Sequence, residues 1–369
     1  MPPVTDLPTP DFTFDSAAPG ACIAGVRPYR RDSYMLGHEV AGGKFLVHNY
    51  GHGGAGITLS WGCAQQVHDI VAGRIATSHD TAAAVLGAGV MGLTAATLLS
   101  DLGLTVTIYA DRQPIDTTSH KAGGQWAVSV VEYSRPQELK KILTDSYMRF
   151  TTQLGPSFGV YERSNYTHER TKNFDIVLQL CPGLIPEPIP LARMPFQGHS
   201  IPGYEYHTLL IEPPVFLARL ECDLRDRGVT FVDRHFVNRA DVLTSLSENI
   251  IVNCTGTGAE KLMNDTAMQP IKGQLAMLPT QQNLNYLYSG DGYLFPRSDH
   301  VVIGGTYEPD LSDETPSQTV CKDILKYMAS HFGVVPAVPM PDIHINHPDH
   351  AATYDPVLPN DQAQPGLNV

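Results

Sequence analysis

No stretch of this 369-residue chain stays apolar for the length of a bilayer crossing, which argues against a helical membrane span. No block of basic residues occurs either. Lys plus Arg number 25 against 38 Asp plus Glu, a formal net charge of −13. Such a balance excludes nucleic acid and anionic membrane surfaces as main partners. The six cysteines, Cys22, Cys63, Cys181, Cys222, Cys254 and Cys321, form no Cys-x-x-Cys pair. Scattered thiols of this kind read as reduced and buried in a cytosolic chain. The opening "MPPVTDLPTPDFTFD" lacks the basic start and apolar centre of a secretory leader. The closing Leu367-Asn368-Val369 is not a peroxisomal tripeptide of the Ser-Lys-Leu type. The expected localisation is therefore cytoplasmic. His344, His347 and His350 stand near Pro348, which interrupts any helix that would align them, and no thiolate or carboxylate set completes a sphere. No metal is expected. No serine lies in a nucleophile elbow, and no internal repeat is visible.

What remains is material for a large core. Apolar residues make up 42% of the chain and charged residues 17%, the balance of a globular protein with room for two domains. Residues 1–20 carry five prolines and read as an irregular arm, and residues 346–369 as a tail. "KFLV" (44–47) reads as a short strand. From Gly56, the apolar spacing Cys63, Val67, Ile70, Val71, Ile75 predicts a helix. "TAAAVLGAGVMGLTAATLLSDLGLTVTIYADR" reads as strand, tight turn, helix, strand. "ELKKILTDSYMRFTTQL" is an amphipathic helix with Leu139, Ile142, Leu143 and Phe150 on one side. "NIIVNCTG" is an apolar strand, "GYLFPRSDHVVIGGTY" a hairpin, and "TVCKDILKYMASHF" a helix with Val320, Ile324, Leu325, Met328 and Phe332 inward. Parallel-type strands flank the glycine turn and hairpin-type strands lie elsewhere. That mixture predicts an α/β chain, with a Rossmann-like doubly wound domain joined to a substrate domain of mixed or antiparallel sheet.

The turn Gly87-x-Gly89-x-x-Gly92 follows an apolar strand and opens a helix. The first glycine permits the turn, the second lets backbone approach a pyrophosphate, and the third lets helix pack on strand. Phosphates would sit on the helix start, at Val90 and Met91, where unpaired N–H groups favour anions. Asp111, 24 residues after Gly87, is suited to accept ribose hydroxyls. The triplet alone does not separate NAD from FAD. "HNYGHGGAGITLSWGC" (48–63) does, because a helix beginning near Gly56 offers a second set of N–H groups. A reduced flavin ring carries negative charge that such a helix start stabilises. Gly53, Gly54 and Gly56 leave no Cβ to obstruct the ring, Ile57 follows in the first turn, and Thr58 can add a hydroxyl. Two glycine stretches thus suggest two grips on one non-covalent FAD.

The segments "AGVRPYR" (24–30), "VHNYGHGGAGITLSWGCA" (47–64), "VLGAGVMGL" (85–93), "IYADR" (108–112), "TTSHKAGGQW" (117–126), "IIVNCTGTGA" (250–259), "GQL" (273–275) and "DGYLFPR" (291–297) resemble the D-amino-acid oxidase family. The order differs: in that family the "GxRP" and "HNYGHGG" segments close the chain, whereas here they open it. The resemblance therefore implies a circularly permuted fold. On that basis the FAD-binding domain comprises 32–130 and 213–262, and the substrate domain 21–31, 131–212 and 263–345.

The resemblance also implies a function: oxidation of a D-amino acid to the imino acid by hydride transfer to flavin, with O2 reduced to hydrogen peroxide. Alternatives are a glycine or N-substituted-glycine oxidase and a non-catalytic flavin-binding protein. Arg27 matches the family's carboxylate-binding arginine, for which a planar, permanently charged fork is the natural choice. Tyr293 matches the tyrosine whose hydroxyl meets the same carboxylate, and the Gly54 carbonyl matches the group that holds the amine. Tyr286 or Tyr288 would serve as a lid. For FAD the resemblance adds Arg112, Thr117, Thr118 and Ser119 near adenosine and phosphates, Gly123, Gly124 and Gln125 along the flavin, and Phe236 near adenine. Ala55 replaces a bulkier residue, which would widen space near the ring. Partners are a small amino-acid substrate and O2, and a homo-oligomer is compatible with the chain.

Overall fold

The computed structural model describes residues 6–339. Two sheets divide them. With elements numbered along the chain, the first sheet runs β2 (Met35–Ala41), β3 (Lys44–Tyr50), β10 (Ile250–Asn253), β4 (Ala82–Leu86), β5 (Thr105–Ala110), β9 (Thr230–Asp233). All its neighbours are parallel except the β2–β3 hairpin. β4 and β10 are apolar without alternation because helices cover both faces of the sheet. One face carries α1 (Gly56–Ile75), α2 (Val90–Asp101), α4 (Pro136–Thr151) and α6 (Pro213–Asp226), the first of them buried by the second and third, and the other face packs on residues of α7 (Arg239–Ser245) and α8 (Ala259–Met263).

The helix from Gly56 forms as its spacing predicts, but it is more deeply set than an amphipathic stripe requires. Every residue from Ile57 to Ala64 is buried. Gly62 makes this possible: a Cβ there would lie 2.6 Å from the Ile142 Cα on α4, so the two helices meet almost backbone to backbone. The short strand at 44–47 extends to Tyr50, carried on by pairing with β2 and β10.

The second sheet runs β1 (Cys22–Arg30), β11 (Met268–Leu278), β14 (Val301–Gly304), β13 (Tyr293–Pro296), β12 (Leu287–Ser289), β6 (Val160–Thr167), β8 (Gly203–Ile211), β7 (Ile189–Leu191), with β15 (Glu308–Pro309) on β11. Only β12–β6 is parallel. β13 and β14 make the expected hairpin. α9 (Gln318–His331) covers this sheet, burying Cys321, Ile324 and Met328, with Phe332 just beyond its end. Short helices α3 (Thr118–Lys121), α5 (Lys172–Leu180), α7 (Arg239–Ser245) and α8 (Ala259–Met263) fill the connections.

The segment expected as an irregular arm is irregular but fastened. The Leu7 N–H donates to the Pro195 carbonyl at 2.7 Å, the Tyr286 hydroxyl to the Pro8 carbonyl at 2.7 Å, and Phe12 packs on Phe332. His344, His347, His350 and the 346–369 tail lie outside the described residues. Among the described residues no helix is long and apolar enough to cross a membrane, and no group of His, Cys, Asp or Glu is arranged to hold a metal.

Candidate active site

A cavity of about 660 Å³ opens at the C-terminal edge of the parallel sheet and extends to the inner wall of the second sheet. β3, β4, β5 and β10 all end on it, the position at which open α/β sheets receive ligands. Its lining carries Arg27, Arg112, Lys121, Arg170, Lys172, Arg234 and Lys261 against only Asp111 and Glu169. Arg112, Lys121, Arg170 and Arg234 are paired with Glu314, Asp175 and Asp241 off the wall, and the balance left on the lining is basic in a chain of net charge −13, which suits an anionic occupant.

Two helices begin on the cavity, and no side chain caps either from its N-cap position. Gly56 and Ile57 of α1 line one part, and Gly89, Val90 and Met91 of α2 another. Ser119 accepts the Val90 N–H at 3.1 Å. Gly87 has φ +101° and packs against the Cys254 carbonyl, where a Cβ would stand 2.5 Å from the oxygen. Gly92 lies off the cavity; a Cβ there would collide with the Gly87 carbonyl, so this glycine does serve helix-to-strand packing.

Asp111, Arg112, Thr117, Thr118, Ser119, Gly123, Gly124, Gln125, Phe236, Gly53 and Gly54 all line the cavity. Several of them have protein partners of their own. Asp111 faces His235 at 3.0 Å, Phe236 packs edge-on to Tyr109, and Arg112 pairs with Glu314 at 2.6 Å, a carboxylate also held by Lys121.

Three expectations need correction. Thr58 does not reach the cavity. Its hydroxyl donates to the Ala127 carbonyl at 2.8 Å and accepts the Ala127 N–H at 3.2 Å, tying α1 to the strand-like segment after Gln125. Ala55 is fully buried in the main core and widens nothing. Gly53 and Gly54 leave space chiefly for protein: a Cβ on Gly53 (φ +51°) would strike the Val130 carbonyl, and one on Gly54 would stand 2.9 Å from the Ser129 carbonyl.

The far wall belongs to β1, β11 and β13. Arg27 donates from Nη1 to the Thr306 carbonyl at 3.1 Å and approaches the Lys272 carbonyl at 3.5 Å. Its guanidinium lies flat over Gly273, where a Cβ would stand 2.6 Å from Nη2. Tyr293 meets it. Burial raises the Tyr293 phenol above its ordinary value, and the adjacent Arg27 offsets part of that rise by charge and hydrogen bond. The Tyr293 ring stacks on Phe295 at 4.4 Å, with Gly304 against its face and Gly123 beside both rings. The four motifs "GVRP", "GQL", "DGYLFPR" and "IGGT" thus converge on one guanidinium and one phenol.

Neither proposed lid tyrosine lines the cavity. Tyr286 and Tyr288 are buried in the second core with Phe196. Ser289, Gly290, Tyr307 and the segment Glu169–Asn173 line it instead. That last segment carried no motif; it reaches the site because β6 pairs with β12, and because the Val128 N–H donates to the Asn173 carbonyl. His52 is also on the wall, fully buried and stacked on Tyr34 at 5.1 Å. Burial lowers its pKa to about 3, so it is neutral at physiological pH and a poor base.

A family model described as "FAD dependent oxidoreductase" matches residues 82–362. The chain belongs to this family. This FAD-dependent oxidoreductase is 28% identical over 262 residues to a D-amino-acid oxidase of Streptomyces coelicolor, a match covering 68% of this chain and 78% of that one. It is 27% identical over 257 residues to a D-aspartate oxidase of Homo sapiens, covering 66% and 73%. Among solved structures it shares its fold with a glycine oxidase from Geobacillus kaustophilus, at TM-score 0.53 and 18% identity, over 68% of this chain and 77% of that one.

The cavity of this oxidoreductase fits FAD. Two helix starts without a side-chain cap from their N-cap residues face an elongated space, and Gln125 Nε2 and Thr171 Oγ1 are buried on its wall without a protein partner. Orphaned buried donors of this kind ask for a polar ligand.

Proposed function

We propose that this FAD-dependent oxidoreductase oxidises a D-amino acid, or a closely related amino-acid amine, to the imino acid. The observation that carries this reading is the meeting of Arg27 and Tyr293 on the wall of the cavity that both helix starts enter. A guanidinium backed by the Thr306 carbonyl and a neutral phenol together suit a carboxylate: charge and fork from one, a single O–H from the other. Gly54, on the same wall, contributes the backbone carbonyl for the amine. Its own N–H is fixed on the Val130 carbonyl at 3.0 Å, which holds that peptide in place.

FAD, when bound, supplies the two-electron oxidant for the substrate's Cα–H and passes the electrons to dioxygen. The chain's own residues then act by alignment. Arg27 and Tyr293 fix the carboxylate, Gly54 fixes the amine, and the N–H groups at Gly56–Ile57 present positive potential to the far end of the same space. No protein base is required if the amine is neutral, and the neutral His52 is consistent with that. The net reaction consumes amino acid, dioxygen and water and yields a keto acid, ammonia and hydrogen peroxide. The D-configuration is supported by relatives named D-amino-acid oxidase and D-aspartate oxidase.

The assigned FAD contacts follow the cavity lining: the Gly87–Met91 turn with Ser119 for phosphates, Asp111, Arg112 and Phe236 toward adenosine, and Gly123–Gln125 along the flavin. The test is an anaerobic visible spectrum with D-alanine, D-aspartate, glycine or sarcosine, with L-alanine as control, followed by peroxide measurement in air. Bleaching by a D-amino acid is expected. A yellow protein that no amine bleaches would overturn the oxidase reading, and bleaching by glycine or sarcosine alone would move it to secondary or achiral amines.

We further propose that the chain order is a circular permutation. The family match starts at Ala82, the first residue of β4, and leaves out residues 1–81. Those residues nonetheless supply β3, which lies beside β10 in the parallel sheet, and α1, whose end leads through 76–81 into β4. A chain reopened within 77–80, with residues 6–76 placed after residue 339, should fold and bind FAD. An insoluble product from several linker lengths would count against it.

A further inference from the structure

Two cysteines that the proposed chemistry does not use stand together, although almost the whole described chain separates them. Cys22 opens β1 and is half-buried; Cys321 lies in the first turn of α9 and is fully buried. β11 brings them together. Cys22 sits opposite Ala276 in the β1–β11 register, and Cys321 donates its thiol to the carbonyl of Leu275, the preceding residue, at 3.4 Å. Both belong to the same apolar cluster, Cys321 within it and Cys22 packed against it, and Cys22 is near enough to help raise the Cys321 thiol above its ordinary pKa.

We propose that Cys22 and Cys321 are a peroxide-responsive pair that closes into a disulfide, fastening the strand that carries Arg27 to the helix that covers the second sheet. The two members differ as such a pair requires. Cys22 reaches solvent past Ser16, whose carbonyl accepts its thiol at 3.9 Å, so it is the sulfur that peroxide meets. Cys321 is held protonated by burial and by its neighbour, which keeps it in reserve as the resolving thiol. Cys22 loses its proton and attacks one peroxide oxygen. The O–O bond breaks, leaving a sulfenic acid at Cys22 and a hydroxide that takes up the released proton. The Cys321 sulfur then displaces the hydroxyl: the S–S bond forms, the S–O bond breaks, and the Cys321 proton leaves with it as water. Two thiols and one hydrogen peroxide give one disulfide and two waters; both sulfurs are oxidised and the peroxide is reduced.

The bond would act on the site's rear wall. α9 places Met328 against Gly292, where an added Cβ would stand 3.0 Å from its methyl, and Gly292 precedes Tyr293. Closing so long a loop constrains the unfolded chain strongly. The inference needs only an added peroxide and stands whether or not the protein makes peroxide itself.

The test uses the full-length, FAD-loaded protein, reduced and then treated with stoichiometric hydrogen peroxide. Expected are a mass loss of two hydrogens, a Cys22–Cys321 cross-linked peptide in a non-reducing map, and a Tm rise of about 5 °C that dithiothreitol reverses. Cys222→Ser, on the exposed face of α6, should keep all three responses. Cys22→Ser and Cys321→Ser should each abolish them. A cross-link through any other cysteine, oxidation that runs on to sulfinic acid at Cys22, or a mapped bridge without a Tm change would overturn the proposal. The wild-type map stands by itself should either serine variant fail to fold.

Discussion

The two glycine-rich helix starts look alike in sequence and do opposite work in space. At the Gly87–Gly92 turn, the middle glycine faces the cavity: Gly89 has an ordinary extended φ, and its missing Cβ would approach only the Ser119 hydroxyl, at 3.2 Å. At the His52–Gly56 turn, Gly53 is left-handed and its missing Cβ faces the Val130 carbonyl. The missing Cβ of Gly89 leaves the first turn open to the cavity, whereas that of Gly53 admits a neighbouring piece of backbone. Glycine content alone therefore signals a close approach without saying what approaches.

The sharpest test of that contrast is Gly53→Ala. It combines a left-handed φ with a backbone collision and should cost about 3 kcal/mol, seen as a large fall in Tm with or without FAD. Arg27→Met comes next. It leaves both turns intact, so FAD should stay bound while kcat/KM falls by about 100-fold or more, because two charge-assisted bonds are lost. Unchanged kinetics would remove Arg27 from the site. Gly89→Ala should do the reverse of Gly53→Ala: Tm without FAD nearly unchanged, and FAD affinity lower by about tenfold, measured by fluorescence quenching.

A pH dependence set by His52 in the His52–Gly56 turn supplies a further test. His52 in the fold has a pKa of about 3 against an ordinary 6.5. As pH falls through 6.5 the unfolded chain takes up a proton that the folded chain refuses until near pH 3. Stability should drain across that window, at up to about 1.4 kcal/mol per pH unit. His52→Gln should flatten the slope of the urea midpoint between pH 7 and pH 4. An identical slope in the variant would show that other groups set it.

Much of the site could be read from local pattern. The strand–turn–helix around Gly87, the helix from Gly56 and the hairpin carrying Tyr293 all form where apolar spacing and turn residues put them. The features that escaped share one cause. Thr58 is turned inward by Ala127, 69 residues away in sequence, and Arg112 is paired with Glu314, 202 residues away. Tyr288 is drawn into a core shared with Phe196 and Phe332. Each depends on what packs against it from distant chain, and no periodicity carries that information. The Glu169–Asn173 wall is the clearest case: nothing in "ERTKN" marks a lining segment until the β6–β12 pairing brings it there.

By itself the sequence determined the element types, the nucleotide-type turn and the residue kinds a carboxylate and an FAD would need, because those follow from backbone preference and side-chain chemistry. Only the tertiary structure decided which glycines face the cavity and which face protein, which hydroxyls are already bonded, and which cysteines share a core. Those outcomes are set by contacts between segments whose separation along the chain leaves no local trace.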